Sequence, residues 1–587
     1  MFYRGQNTGW QKQIENIKGI SDNAKGKLWV ADIEKGWIPH FFYVNDSSAQ
    51  RARWINNNDW RNWPKDFETS DPEKKGQLVT LSENKGIIRH ISKNGDTEIV
   101  CIIAQYGVMG NGVIRDVNTT EGSFRWNSRQ LNLRQSRNQD ERGYNLENAL
   151  YFIDEPGEWS VNSQTGKIYY WPRENENLLT DTTVAPKLYE LVRLQGDEDR
   201  GEYVHDITFD GITLKYTDRL PEDQWPYDQL MRQWENVDAA LYITGALNCT
   251  FINNRILNSG AYGITLNHFA KNIRIEHNEI GFTGSGGVFL EGYGPGKKDV
   301  NRENIIRYNY IHDHGLANYW HSPSLQIYQS GFNDISYNLL QKSAYNGISM
   351  VGMHFKYMSD INLMEPGHFA GQFQQWNYFC PRLDDYPKDI QDKLRTGEYN
   401  FDRETMKPFL LSNSNNIFRN VIVEPHSMLN EGGAIYAWCT GKGNVWKENL
   451  IFVSHSMPGS SILALDDVAE YFTIEGNVFW INGKILNGVG MRKNERGNIA
   501  KNNIRVMYSK KQRASDKDGL GTYWINVKGR EPLDELLSII KTDIEKTEWK
   551  SWLGNPNTGI PLQGDKTWLK KAKDRVFPKG SNVTIEE

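Results

Sequence analysis

Asn254-Arg255-Ile256 followed by Tyr262-Gly263-Ile264, then Asn278-Glu279-Ile280 followed by Gly286-Gly287-Val288, read as two turns of one repeating unit. The triplet Asn-any-apolar returns at Asn309-Tyr310-Ile311, Asn338-Leu339-Leu340, Asn420-Val421-Ile422, Asn449-Leu450-Ile451 and Asn477-Val478-Phe479, at intervals mostly of about 24 to 31 residues. That is the period of a solenoid coil. Each coil also carries a short apolar strand: Pro323-Ser324-Leu325, Asn346-Gly347-Ile348, Gly433-Ala434-Ile435, Ser461-Ile462-Leu463. The pattern predicts an all-β chain built on a right-handed parallel β-helix. Its Asn side chains stack at one bend, each amide bonded to the next coil about 4.8 Å away.

Alternate residues of a strand share a face. With Ile264, Val288, Leu325, Ile348, Ile435 and Leu463 as equivalent inward positions, the inward residues two further on are Leu266, Leu290, Ile327, Met350, Ala437 and Leu465. All are apolar, so the register is self-consistent. The outward column between them reads Thr265, Phe289, Gln326, Ser349, Tyr436, Ala464, and the next reads Asn267, Glu291, Tyr328, Val351, Trp438, Asp466. Just beyond lie His268 and Asp467, and Glu431 precedes one strand. Carboxylates beside Trp and Tyr are what a sugar site requires, since glycoside hydrolysis uses one carboxyl group as proton donor and a second as nucleophile or base. Column position alone does not decide for catalysis, because a charged outward residue on a β-helix is usually just solvated. Glu431 stands before its strand and Asp466 at the end of the next, which separates them unless the Gly432-Gly433 turn curls inward.

The chain has 587 residues and a formal net charge of -5, with no basic run. That composition points away from a nucleic-acid partner, and no apolar stretch has the length of a membrane span. Twenty Trp and 28 Tyr serve either inter-coil stacking or platforms for sugar rings. Cys101, Cys249, Cys380 and Cys439 are scattered, read as buried thiols, and show no metal spacing. No cofactor is expected.

Residues 1–35 read as the remnant of opening coils and an incoming strand. Residues 36–185 alternate like ordinary strands, as in Thr97-Glu98-Ile99-Val100-Cys101-Ile102-Ile103 and Lys167-Ile168-Tyr169-Tyr170-Trp171, and predict an inserted β-sandwich-like domain. The coil pattern occupies 186–510, interrupted by an excursion at roughly 355–412 that is rich in aromatics and charge (Trp376, Tyr378, Phe379, Arg382, Asp384, Asp385, Tyr386). Such a segment reads as a packed lid beside the site. Residues 511–587 form a C-terminal cap and tail, with helical periodicity over Leu533-Asp534-Glu535-Leu536-Leu537-Ser538-Ile539-Ile540.

The segment Asn430-Glu431-Gly432-Gly433-Ala434-Ile435-Tyr436 with Leu465-Asp466-Asp467 resembles the paired motifs Asp-Gly-Gly-Ala-Ile-Tyr and Leu-Asp-Asp of parallel β-helix glycoside hydrolases, above all glycoside hydrolase family 141. Further likeness lies in Tyr319-Trp320-His321-Ser322-Pro323 with Gln329-Ser330-Gly331, Ala344-Tyr345-Asn346-Gly347-Ile348, Arg51-Ala52-Arg53-Trp54 and Asp154-Glu155-Pro156-Gly157-Glu158-Trp159. The resemblance covers most of the chain up to about residue 510. It implies fucosidase or xylanase activity, with the β-xylosidases of family 120 as the neighbouring possibility. It also implies catalysis by Glu431 and Asp466 on a polysaccharide or oligosaccharide. The motif's first Asp is Glu431 here, one methylene longer. Met1 falls where such proteins enter the sandwich, so opening coils and an export signal are expected upstream, with the full-length protein secreted or periplasmic.

Asp467 either holds the turn or orients Asp466. Trp438, Tyr436, Tyr328 and His268 read as subsite walls, and Glu291 as a distal sugar contact. His321 serves either a backbone carbonyl or a substrate hydroxyl. His312, Asp313 and His314 carry ligand atoms but lack the further partner a metal needs. Two other classes compete with a hydrolase. A polysaccharide lyase needs a Lys or Arg base, and neither outward column contains one. A non-catalytic glycan binder needs no carboxylate pair.

Overall fold

A computed structural model of the chain describes residues 9–13, 17, 19–70, 77–92, 95–104, 108–127, 142–220, 238–296, 298–359, 383, 386–429, 432–453, 455, 461–481, 489–491, 496–501, 503–508, 514–516 and 522–527. Glu431, Trp376, Tyr378, Phe379, Cys380, Arg382, Asp384, Asp385 and the expected helix at 533–540 lie outside the described residues.

Three parallel sheets wind along one axis. The first, which faces the site, runs through Val192–Gln195, Ala239–Leu247, Tyr262–Lys271, Val288–Glu291, Leu325–Tyr328, Ile348–Val351, Ile435–Trp438, Leu463–Leu465 and Val489–Met491. The second begins at Thr208–Asp210 and ends at Ile499–Lys501. The third begins at Thr213–Lys215 and continues through Asn503–Tyr508 to Thr522–Val527. Pairing in the first sheet matches the expected register, Ile264 opposite Val288, then Leu325, Ile348, Ile435 and Leu463. Those residues, with Ile256, Ile280, Ile311, Ile335 and Ile417, fill one continuous buried core. Apolar burial on every inward face pins the register, because a one-residue slip would turn that whole set outward.

The bends are held by amides. Asn254 donates from Nδ2 to Asn278 Oδ1 (3.0 Å), and the same bond joins Asn278 to Asn309, Asn309 to Asn338, Asn338 to Asn420, Asn420 to Asn449, Asn449 to Asn477 and Asn477 to Asn503. Each Oδ1 also accepts the backbone N–H of the preceding rung, as from Asn449 N to Asn477 Oδ1 at 2.9 Å. Just before these rungs the chain takes a left-handed conformation, with φ +56° at His277, +57° at Tyr308, +56° at Tyr337 and +55° at Glu448. Non-glycine residues rarely adopt it, and the stacked amides hold it. A second ladder joins Asn304, Asn333, Asn415 and Asn444, each N–H bonded to the next Oδ1. Both ladders cross the long gap, Asn333 to Asn415 and Asn338 to Asn420. The excursion therefore leaves the coil register undisturbed.

The N-terminal part has a five-stranded and a six-stranded sheet, mostly antiparallel, and a smaller third sheet. Ile168 and Tyr170 face a cluster with Trp10, Phe42 and Trp159, whereas Tyr169 and Trp171 pack on the cluster of Phe67, Phe124 and Tyr144. Strands Gln11–Lys12 and Trp29–Asp32 are antiparallel members of this unit, with Trp29–Asp32 paired to Lys167–Tyr170. They are thus sandwich strands rather than remnants of coils, because the alternation of Lys27-Leu28-Trp29-Val30-Ala31 matches an antiparallel partner. Trp60 and Trp63 join Trp320, Tyr345 and Leu429 in an apolar junction between this unit and the coils. A buried charge cluster lies in the same junction. Arg51 contacts Glu98 through both terminal nitrogens (3.0 Å each), Arg219 reaches Glu98 at 2.8 Å, and His40 bonds Asp218 at 3.1 Å.

Candidate active site

Asp466 follows the strand Leu463–Leu465 and has the parity of outward Ala464. Its backbone N–H donates to Ala437 O of the previous coil at 2.8 Å. Both carboxylate oxygens are held as acceptors: Tyr436 Oη donates to Oδ2 at 2.8 Å, and the Asp467 N–H donates to Oδ1 at 2.8 Å. Tyr436 can do this because it stands opposite Ala464, whose methyl leaves room for the phenol. Asp466 is therefore a fixed carboxylate on the outer face of the first sheet.

The chain enters the neighbouring strand through Gly432 and Gly433. Gly432 has φ +96°, and a Cβ there would sit 2.4 Å from Asn346 Oδ1. Only glycine fits such a turn without strain. Gly433 donates its N–H to Asn346 Oδ1 at 3.2 Å, and a Cβ on it would lie 2.9 Å from that of Ala464. The backbone at Gly433 thus runs over the outer face beside Ala464, two residues ahead of Asp466. The segment before Glu431 is tied on both sides. Trp60 Nε1 donates to Met428 O at 2.9 Å, and Leu429 N–H donates to Ala344 O at 3.1 Å. Burial pushes His426 in this segment down to about 4.

Asp467 is gripped by the excursion. His354 Nε2 lies 3.1 Å from Asp467 Oδ2, and Arg403 Nη2 lies 3.2 Å from Asp467 Oδ1. Arg403 Nη1 also reaches Glu470 Oε1 at 2.9 Å, while Lys407 Nζ lies 3.2 Å from Glu470 Oε2. Lys407 further donates to Val468 O at 2.9 Å and Thr440 O at 3.2 Å. Glu470 is wholly buried, and such a charge persists only when paired. None of His354, Arg403, Lys407 and Glu470 was singled out from the sequence. The one signal is a carboxylate three residues past Leu-Asp-Asp, opposite a long insertion that carries cations.

The other expected site residues are distributed along the outer face. Trp438 (7% exposed), Tyr436 (9%) and Tyr328 (6%) lie in an apolar cluster with Phe289, Val351, Met358, Tyr386, Phe401, Met406 and Leu410. They are lined up coil by coil, but the excursion covers them, so they are not open platforms. Glu291 accepts from Asn267 Nδ2 at 2.6 Å and is 1% exposed. Tyr328 and Val351 separate it from Trp438 in the pairing order, so the fold does not bring it to Asp466. His268 stacks on Tyr293 (centroids 4.2 Å), a further coil away. His321 stacks between Trp320 (4.6 Å) and Tyr345 (5.5 Å), and its carbonyl accepts from Tyr262 Oη at 3.1 Å. It belongs to the domain junction, one ring from His426. Elsewhere, His312 bonds Asp313 at 2.9 Å and His314 bonds Thr283 Oγ1 at 2.8 Å. Among the described residues no three His, Cys, Asp or Glu side chains are grouped to hold a metal, and no helix is long and apolar enough to cross a membrane.

Comparison with known proteins agrees with the architecture. Residues 231–358 match the family model described as "Right handed beta helix region". A solved structure titled "Glycoside hydrolase" is similar over 86% of this chain and 81% of that chain, with TM-score 0.56 and 15% identity. That likeness is one of fold. The catalytic domain of a GH87 alpha-1,3-glucanase in complex with tetrasaccharides covers 79% of this chain and 96% of that chain, at 11% identity and TM-score 0.25, too low to carry an argument. No curated protein matches the chain by sequence.

Proposed function

We propose that the chain is a glycoside hydrolase that cleaves glycosidic bonds in a polysaccharide or oligosaccharide, with Asp466 and Glu431 as its two carboxylates. The observation that carries this reading is the fixed Asp466 carboxylate beside the Gly432-Gly433 turn. A carboxylate whose two oxygens already accept hydrogen bonds is suited to act as nucleophile or base. Glu431, the residue before Gly432 in the sequence, then serves as the proton donor. The likeness to families 141 and 120 supports a fucosidase-, xylanase- or xylosidase-like specificity and work as an exported protein, secreted or periplasmic. The fold of the "Glycoside hydrolase" neighbour agrees with this reading. A lyase is the weaker alternative: cations do stand near the site, but Arg403, Lys407 and His354 are engaged with Asp467 and Glu470.

The test is a screen against arrayed plant and algal polysaccharides and aryl glycosides, reading reducing ends and ultraviolet absorbance together. New reducing ends without absorbance at the wavelength of an unsaturated uronate are expected. Asp466→Asn and Glu431→Gln should each lower turnover by about 100-fold or more with the melting temperature unchanged. Near-parental turnover of Asp466→Asn defeats the assignment, and an absorbing product turns it to a lyase.

A further inference from the structure

We infer that the excursion belongs to the catalytic machinery: His354 and Arg403 are positioning residues that hold the Asp466 carboxylate by immobilising Asp467. This rests on Asp466 acting as proposed above.

Asp467 is the link, because its N–H donates to Asp466 Oδ1 at 2.8 Å. The direction of that N–H is set by what restrains the rest of the residue. The Asp467 carbonyl accepts from Cys439 N at 2.8 Å, and the turn closes by Ala469 N donating to Asp466 O at 2.9 Å. The Asp467 carboxylate is then clamped at both oxygens, by His354 at one and Arg403 at the other. His354 is itself restrained. Its Nδ1 accepts the Lys356 N–H at 3.2 Å, so the neutral ring carries its proton on Nε2, facing Asp467. The ring stacks on Phe355 at 4.2 Å and lies 6.3 Å from the Trp438 ring. Arg403 is a fork whose other arm ends on buried Glu470, a rigid two-point grip that lysine cannot reproduce.

Fold stability does not require this clamp. Without Arg403, Glu470 keeps Lys407 and Arg496 at 3.2 Å each, and the Asp467 side chain, 30% exposed, keeps water. What changes is the aim of the Asp467 N–H and with it Asp466. A misplacement of about 1 Å in a reacting group costs about 100-fold in rate. A lid that only gathers substrate would instead raise KM.

The experiment measures kcat, KM and melting temperature on a substrate found by the screen above, for the parent, Arg403→Met, Arg403→Lys, His354→Phe and His354→Gln, with Asp466→Asn as reference. Arg403→Met and His354→Phe should each lose about 10- to 100-fold in kcat with KM within about twofold and with the melt preserved. His354→Gln, whose amide N–H replaces the Nε2 donor, should recover much of that loss. Parental kcat in both Arg403→Met and His354→Phe, or a change confined to KM, overturns the inference while the site reading stands. Should Arg403→Met fail to fold, Arg403→Lys decides: reduced kcat supports the clamp and parental kcat overturns it. Parental turnover in Asp466→Asn, or a parent inert on the whole panel, overturns the site reading and this inference with it.

Discussion

Two bends of the same helix are built on opposite principles. At the Asn bend every coil presents the same residue, and each amide bonds to its own kind above and below. At the turn over 466–470, a carboxylate, a phenol and a set of charges meet once, and the partners come from a distant insertion. The first bend is repetitive, so losing one rung unpairs only its immediate neighbours and leaves the rest of the ladder intact. The second is singular: its groups meet once along the helix, and no coil above or below repeats them. Repetition makes a scaffold, and its interruption makes a place where chemistry can be specified.

The sharpest test of that contrast is Lys407→Met. It strips a cation from Glu470, whose side chain is fully buried, and breaking a buried pair costs about 3–5 kcal/mol. The low end is expected, since Arg403 and Arg496 remain; both are partly exposed (25% and 46%), so neither replaces the buried Lys407 ammonium, whereas loss of Arg403 leaves that ammonium in place. Urea unfolding should show it, and the paired change Lys407→Met with Glu470→Gln should recover most of the loss. If the single change is harmless, the turn is not held by charge.

Asn449→Ala comes next. Asn449 Nδ2 donates to Asn477 Oδ1 and Ile417 O, and its Oδ1 accepts from Asn420. Leaving such buried groups unpaired costs about 1–3 kcal/mol. The same measurement on Asn503→Ala should give a smaller loss, because Asn503 closes the described ladder and gives its amide to Ile474 O alone. Asn254 is a poorer end member than its position in the sequence implies. Its Oδ1 accepts the Ile212 N–H at 2.8 Å, so both of its sides are occupied. Equal losses at 449 and 503 would show that rungs do not depend on their neighbours.

The smallest effect is a pH slope. Burial pushes His314 down to about 3 and His426 down to about 4. Each therefore stays neutral in the folded chain below about 6.5, where an unfolded histidine takes up a proton. Stability from these groups is full above about pH 6.5 and falls as pH drops toward 4. Glu98 adds a second step. Burial raises it, but Arg51, Arg219 and His40 outweigh burial and hold it well below the carboxylate range. Its contribution is present above the unfolded value of about 4.3 and is lost as pH falls through the lower folded value. Denaturant melts from pH 7 to pH 3.5 should show the histidine step in the parent and a shallower one in His426→Asn. A flat profile would mean that neither histidine is buried as neutral.

The β-helix was legible because its cause is local and repeated. Inward Ile264, Val288, Leu325, Ile348, Ile435 and Leu463 and the Asn triplets set the sheet register directly. The second ladder is equally readable: Asn304, Asn333, Asn415 and Asn444 each stand five residues before a rung of the first. The composition of the outward columns is legible but their exposure is not, because Trp438, Tyr436 and Tyr328 are covered by residues more than twenty positions away in either direction.

By itself, then, the sequence determined the all-β class, the axis and register of the helix, and Asp466 as an outward carboxylate beside a glycine turn, since apolar periodicity and glycine geometry act within one coil and its neighbours. Only the tertiary structure decided that Gln11–Lys12 joins the sandwich beside Trp29–Asp32, whose strand alternation is already visible in Lys27-Leu28-Trp29-Val30-Ala31, that the excursion closes over the aromatic row, and that His354, Arg403 and Lys407 converge on Asp467 and Glu470. Those outcomes depend on ion pairs and packing between segments about 67 to 141 residues apart, and pairing over such distances leaves no period in the chain to read.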